Sequence, residues 1–194
     1  GVDHQSYAVF NIYSNDGIVT SLDVNGLSGG IWGVFSNEMG CSTSGAWNDR
    51  RKSIVGNSTI LPQYKIFLTN PDPLVFPTGI AGVLNDFQKS SMDCDTIMTF
   101  SADVSKAGNI EILIDVPPLN PGGVGAEDVQ LAYPVIAGLN VLNPGWDGLN
   151  AFGVPVASNS QVEVRVRFLN GLSNIPLYDV ENNPQGFKVD IVRP

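Results

Sequence analysis

The chemistry open to this sequence is limited first by its histidines. His4 is the only histidine among 194 residues, and a Ser-His-Asp triad, a Cys-His pair and a zincin site each need a histidine held beside other groups. His4 stands at the start of the chain, where we expect an exposed side chain. The 19 acidic residues could supply a glycosidase-type pair, but we expect most of them to be solvated or to cap turns. The sequence therefore predicts a protein that is not an enzyme.

Acidic side chains gather on several expected loops. Asp16 lies in NDG, Asp72 in NPDP, and Asp93 and Asp95 in DCD. Oxygen-rich loops of this kind are where Ca²⁺ binds, although none has EF-hand spacing. The same residue types also form Asx turns without a metal. We therefore expect no required cofactor and name calcium as the ion that these loops could hold.

One polar loop combines an aromatic residue with cations. Residues 42–53, STSGAWNDRRKS, hold Trp47, Arg50 and Arg51 in the only basic cluster of the chain. A surface tryptophan beside cations could contact an anionic glycan or a partner protein. The alternative is that the indole folds back over the core.

The two cysteines, Cys41 and Cys94, either form a disulfide or remain as two buried free thiols. A bridge across so long a loop would contribute about 4 kcal/mol in the chain-entropy treatment. We predict the disulfide because the rest of the composition resembles that of exported proteins.

Composition and charge exclude some partners. Hydrophobic residues make up 43% of the chain and charged residues only 15%, which indicates a globular protein with a surface of Asn, Ser, Thr and Gly. The net charge of −9 opposes binding to nucleic acid or to an anionic membrane. No apolar run reaches the roughly 18 residues of a membrane helix, so we expect no membrane insertion.

Apolar residues alternate with period two, whereas helical periodicity is nearly absent. The pattern predicts an all-β chain with an Ig-like β-sandwich, built as one sandwich or as two packed sandwiches. The expected strands are 7–13, 19–24, 31–35, 64–68, 97–104, 110–116, 129–133, 162–168 and 187–192.

The strands at 97–104 and 110–116 are separated by the turn SKAGN, which predicts a hairpin of neighbouring strands. Prolines and polar residues break the alternation around residues 70–95. We place a boundary near residues 80–95, with an N-terminal β domain or subdomain over 1–90 and an Ig-like domain over 91–194.

A corner is expected just before the clearest strand, QVEVRVRF at 161–168. Asp147 can accept hydrogen bonds from backbone N–H groups two residues on, and Gly148 and Gly153 allow positive φ. Trp146 then offers a large apolar surface that closes the end of the sandwich. We expect Trp146 and Asp147 to serve this architecture and not to bind a ligand.

The segment AGLNVLNPGWDGLNAFGVPVASNSQVEVRVRF resembles the WDG turn of the Ig-like domain of the flagellar hook-capping protein and of many bacterial surface modules. The matching positions include Gly138, Asn140, Trp146–Gly148, Gly153 and Val156. The usual Gly-Thr-Tyr after the turn is replaced here by residues 159–161, Asn-Ser-Gln. The motif bears on fold and is nearly silent on function.

More of the chain is similar to modules of large gliding-motility-associated surface proteins of Bacteroidota, which the type IX system exports. The similar segments are 61–79, LPQYKIFLTNPDPLVFPTG, and 169–194, LNGLSNIPLYDVENNPQGFKVDIVRP. The resemblance implies a non-catalytic, extracellular, adhesin-like module at the cell surface. Its partners would be neighbouring modules of the same polypeptide, and a glycan or a surface protein.

Two short motifs could carry glycans. Residues 57–59 fit the N-glycosylation sequon. Residues 95–97 fit the Asp-Ser/Thr-aliphatic O-glycosylation pattern associated with Bacteroidota, which makes Thr96 the candidate acceptor.

Overall fold

The computed structural model describes residues 5–29, 32–42, 44, 47–55, 62–90, 97–178, 180 and 182–194, with only the backbone described at positions 47 and 48. These residues form fourteen strands and one short helix, so the all-β prediction is confirmed. In chain order the elements are β1 (Gln5–Ser6), β2 (Val9–Tyr13), β3 (Val19–Asp23), β4 (Leu27–Ser28), β5 (Gly33–Val34), α1 (Trp47–Arg50), β6 (Lys65–Phe67), β7 (Leu84–Lys89), β8 (Met98–Val104), β9 (Gly108–Asp115), β10 (Val129–Val135), β11 (Gly138–Trp146), β12 (Glu163–Leu169), β13 (Leu177–Tyr178) and β14 (Lys188–Arg193). The described residues contain no helix long and apolar enough to span a membrane.

The chain divides into two compact units. The first unit combines Gly1–Ala81 with Gly171–Pro194, and the second unit is the continuous segment Gly82–Asn170. The sequence predicted two consecutive domains over 1–90 and 91–194. The division differs because β14, at the end of the chain, pairs antiparallel with β3 and so belongs to the first unit.

The second unit is a β-sandwich. One antiparallel sheet has the order β10-β9-β12 and the other has the order β11-β8-β7. A single hydrophobic core contains side chains from both sheets, including Phe100 of β8 and Ile110, Ile112 and Ile114 of β9, all nearly inaccessible to solvent. Burying each such side chain contributes about 1.5–3 kcal/mol. The alternation of apolar and polar residues predicted from sequence is therefore what builds the two inner faces.

The predicted hairpin between the strands at 97–104 and 110–116 is wrong. β8 pairs with β7 and β11, whereas β9 pairs with β10 and β12. The turn between them carries the chain from one sheet to the facing sheet. Ser105, directly after β8, extends the pairing with the β7 side, since its N–H donates to Val83 O at 2.9 Å. Gly108 starts β9 against β12, where a Cβ would lie 2.4 Å from Leu169 O.

The first unit is built on a four-stranded antiparallel sheet of order β14-β3-β2-β6, with two-stranded sheets β1-β4 and β13-β5. Its core contains Ile12, Leu22 and Leu27, which are almost fully buried. Trp32 packs against this core and meets Phe10 edge to face, with 6.1 Å between ring centroids.

Candidate functional site

A cleft of about 350 Å³ opens on the first unit. One wall is the loop that follows β5 and surrounds α1, and the other wall is the segment that leads into and forms β13. The lining residues are Gly40, Cys41, Arg51, Ser53, Ile54, Asn174, Ile175, Pro176, Leu177 and Tyr178.

Backbone pairing between distant segments sets the second wall in place. β13 pairs antiparallel with β5, so that Leu177 lies opposite Val34. An isolated bridge joins Asn37 to Asn174, with N–H···O distances of 3.1 and 2.8 Å in the two directions. The side chain of Asn174 adds a 2.8 Å hydrogen bond to Glu38 O. The wall formed by residues 174–178 is therefore held by main-chain hydrogen bonds.

The other wall depends on a tight turn at Gly40. The buried Asn37 side chain accepts from Gly40 N at 2.6 Å and donates to Gly40 O at 3.0 Å. Gly40 has φ +103°, and a Cβ there would lie 2.6 Å from Arg50 O. Cys41 N donates to the same Arg50 carbonyl at 2.8 Å. Only glycine suits this position, because both the dihedral angle and the close approach exclude a side chain.

The cleft combines one guanidinium with neutral polar and aromatic groups. Arg51 is the one charged residue among the ten lining residues, and it is accompanied by the Ser53 hydroxyl and the exposed ring of Tyr178. A carboxylate or histidine that could act as a general acid or base is not among them. Aromatic and aliphatic surface beside a guanidinium fits a small polar or anionic ligand.

The predicted binding residues fall at this cleft in part. Arg51 lines it, and Arg50 contributes the carbonyl that closes the loop. α1 begins at Trp47, whose side chain lies outside the described residues. Lys52 forms an exposed ion pair with Asp49 at 2.7 Å. The basic cluster predicted from sequence is thus partly a wall of the cleft and partly a solvated helix end.

The predicted Cys41–Cys94 disulfide is not formed in this structure. Cys41 is a free, half-buried cysteine that lines the cleft, and Cys94 lies outside the described residues. Cys41 belongs to the first unit, whose hydrophobic core is formed without its side chain.

The candidate metal ligands do not form a centre within the described part of the chain. Asp72 accepts a 2.9 Å hydrogen bond from Leu74 N, as in an Asx turn. Asp16 lies in the turn between β2 and β3, and Asp93, Asp95 and the candidate glycosylation site Thr96 lie outside the described residues. Among the residues that are described, no three His, Cys, Asp or Glu side chains are grouped to hold a metal ion. Calcium binding stays a prediction.

The WDG corner holds the end of the second unit. Trp146 is only 4% exposed, belongs to the sandwich core, and donates from Nε1 to Leu149 O at 2.8 Å. Asp147 Oδ1 accepts from Leu149 N at 3.1 Å, two residues on. Gly148 and Gly153 have φ of +80° and +75°. The side chains of Trp146 and Asp147 therefore both bond to backbone groups of the same corner.

A buried ion pair in the second unit was missed by the sequence analysis. Asp115, fully buried at the end of β9, pairs with Arg165 of β12. The Arg165 guanidinium also donates to Gly123 O and Asn120 O, each at 3.0 Å. Asp128 accepts from Gly125 N at 2.6 Å. Together these contacts fasten the loop between β9 and β10 to the sheet, and no local sequence signal links residues so far apart.

Two buried tyrosines have perturbed acidity. Burial raises the pKa of Tyr133, whose hydroxyl donates to Pro144 O, to about 12. Burial, and to a lesser degree the negative charges of Glu38 and Asp16, raises the pKa of Tyr64, whose hydroxyl donates to Leu172 O at 3.0 Å. Each phenol is a neutral donor: Tyr133 of β10 binds the backbone of β11, and Tyr64 binds the backbone of the loop at Leu172.

Comparison with protein-family models, with curated proteins and with solved structures finds no match for this chain.

Proposed function

We propose that this chain is a non-catalytic extracellular module of a large bacterial cell-surface protein, with a structural or adhesive role. The cell-surface assignment comes from the resemblance to bacterial surface modules of the WDG segment and of residues 61–79 and 169–194. The proposal depends on one structural observation, which is the use made of buried polar groups.

Buried polar side chains hold loops in both units. Asn25 donates to Gln185 O and Gly186 O, and Asn37 closes the Gly40 turn. In the second unit Asp115 and Asp128 bind the N–H groups of the loop between β9 and β10. Active sites instead hold polar groups ready to meet a substrate. The binding of Asn25, Asn37, Asp115 and Asp128 to backbone partners favours a rigid scaffold over an enzyme.

The cleft supports a second candidate function, a carbohydrate-binding module. Arg51 and the Tyr178 ring line it, and the loop that carries Trp47 adjoins it. A ring face can stack on a pyranose, and a guanidinium can pair with a carboxylate or sulfate of an anionic glycan. This alternative predicts that ligand binding depends on the cleft and not on the β-sandwich of the second unit.

The first experiment concerns the gene and the cell. The reading frame that encodes this chain should contain further β modules and a C-terminal secretion signal, and intact cells should present the chain to externally added protease. A short frame with the chain retained inside the cell would contradict the surface-module proposal.

The second experiment separates the two candidate functions. Neutral and anionic polysaccharides are tested by affinity electrophoresis and by tryptophan fluorescence with the wild type and with Trp47→Ala, Arg51→Gln and Tyr178→Ala. Lys89→Ala, an exposed cation of the second unit, is the matched control. Retardation by one polysaccharide that the Arg51→Gln and Tyr178→Ala variants lose and the control keeps would establish the carbohydrate-binding function. Turnover of a glycan or ester substrate by the wild type would refute the non-catalytic proposal.

A further inference from the structure

The sandwich of the second unit has four end strands, and three of them are interrupted. β10 contains Pro134, which has no N–H to offer to a further strand. β11 contains Pro144, and its register with β8 shifts after Leu142. β7 has a register shift after Leu84. Prolines and bulges at end strands are how β proteins prevent pairing with other chains.

The fourth end strand, β12, has none of these interruptions. Its seven residues pair one to one with β9, from Glu163 opposite Asp115 to Leu169 opposite Asn109, with no register shift. It contains neither proline nor glycine. Among the described residues, no strand pairs with its outer edge and no other segment forms a backbone hydrogen bond with it. A regular strand with a free edge is a template for another strand.

The side chains of β12 leave room for such a neighbour. Its inward residues Val164, Val166 and Phe168 are only partly buried, whereas the residues of β9 beside them in the same sheet are fully buried. An added strand on the outer edge would cover the remaining apolar surface of this face. The gain is both main-chain hydrogen bonding and apolar burial.

We propose that β12 pairs antiparallel with β12 of a second copy, which joins two three-stranded sheets into one six-stranded sheet. The charges select the register. When the two strands are centred on Arg165, Glu163 of each copy lies opposite Arg167 of the other. Val164 then lies opposite Val166, so the apolar faces also match.

The neighbouring register is disfavoured by charge. Strands centred on Val166 would place Arg165 of each copy opposite Arg167 of the other, and like charges directly opposite each other destabilise a pair of strands. In the proposed register the two Arg165 side chains meet at the axis, but each is neutralised by the buried Asp115 of its own copy.

The occupant is a second copy because the charges of this strand are self-complementary. The chain carries −9 overall, so most of its surface repels another copy. Arg165 and Arg167 are two of its ten basic residues, and both lie on β12. This strand is therefore a place where two acidic copies can approach without that repulsion.

Sedimentation velocity over a concentration series that reaches about 1 mM tests the proposal, since an interface of two strands is small and its association weak. The wild type should form a dimer. Arg167→Glu and Glu163→Lys each replace two attractive cross-strand pairs by two repulsive ones, and each should weaken self-association about tenfold or more. An equimolar mixture of the two variants restores both attractive pairs and should dimerise.

The controls use side chains that folding tolerates. Glu163 and Arg167 are 51% and 72% exposed at the side chain, and near-ultraviolet circular dichroism verifies that each variant is folded. Within its own copy Arg167 also pairs with Glu111 and Glu163 with Arg165, so if one of the two variants unfolds, the other decides the test. Gln130→Glu, on the end strand that Pro134 interrupts, should leave dimerisation unchanged. A wild type that stays monomeric throughout, or a dimer that neither β12 substitution weakens, would overturn the proposal.

Discussion

Removing the indole of Trp146 should destabilise the second unit more than any other change at its corner. The side chain is 4% exposed and lies in the sandwich core. Its one polar group, Nε1–H, donates a hydrogen bond to Leu149 O at 2.8 Å. Its backbone pairs with Met98 of β8, so the ring is placed by the sheet and not by the loop alone. Truncation would open a cavity and leave a carbonyl without its donor.

The magnitudes follow from what each substitution removes. Trp146→Ala should lower the free energy of unfolding by about 3–5 kcal/mol, which is the range for large aromatic side chains in cores. Trp146→Phe keeps most of the apolar volume but loses the hydrogen bond, and should cost about 1–3 kcal/mol. Asp147→Ala removes only the acceptor of Leu149 N and should cost about 1 kcal/mol. Against a typical domain stability of roughly 5–15 kcal/mol, the first of these losses is large.

Hydrogen exchange read by mass spectrometry measures this effect in each unit separately. A two-unit chain does not guarantee one unfolding transition, so a single midpoint would mix the two contributions. Peptides from β8 and β9 should lose protection in Trp146→Ala, and peptides from β2 and β3 in the first unit serve as the internal reference. Urea denaturation followed by circular dichroism gives the corresponding midpoints.

Unchanged protection of β8 and β9 in Trp146→Ala would refute the architectural role of the indole. A ligand site at Trp146 predicts the opposite pattern, in which stability is preserved and binding is lost. The order of the three variants is a further check, because an Asp147→Ala effect larger than that of Trp146→Ala would mean that the turn and not the core dominates.

Three other outcomes are expected. Arg165→Met should lower the urea midpoint of the second unit clearly, because it leaves the fully buried Asp115 carboxylate without its cation. Arg167→Met should lower it less, since Arg167 is itself exposed and Glu111 keeps some contact with solvent; equal midpoints would contradict this. The pKa of Tyr133 is raised from 10.0 to about 12, so the folded state holds the phenol proton more tightly: this stabilisation is complete below pH 10 and is lost as pH rises through about 12. Urea midpoints measured across this pH range should fall for the wild type but not for Tyr133→Phe. Tyr64→Phe should likewise remove a loss of stability at high pH in the first unit, where the pKa of Tyr64 is also raised. Thiol titration of unreduced, unfolded protein should detect Cys41, and a protein without titratable thiol would show that the disulfide forms after all.

Local sequence could predict one wall of the cleft but not the other. The loop with Arg50 and Arg51 stands out in a sequence poor in charge, and Arg51 does line a cleft. The opposite wall, residues 174–178, could not be linked to it, because main-chain pairing between β5 and β13 brings the two together. Every residue except proline has the same backbone donor and acceptor, so the sequence does not indicate which two strands pair.

By itself the sequence determined that the chain is all-β, which faces of its strands are apolar, and that Asp147 accepts from the backbone two residues on. These features depend on the two-residue period of a strand and on turn geometry, both of which are local. Tertiary structure decided that β8 and β9 face each other from different sheets, that β14 joins the first unit, and that Arg165 pairs with a buried Asp115. Alternation tells which side of a strand is buried but not which strand lies beside it, and that choice depends on long-range packing of the whole chain.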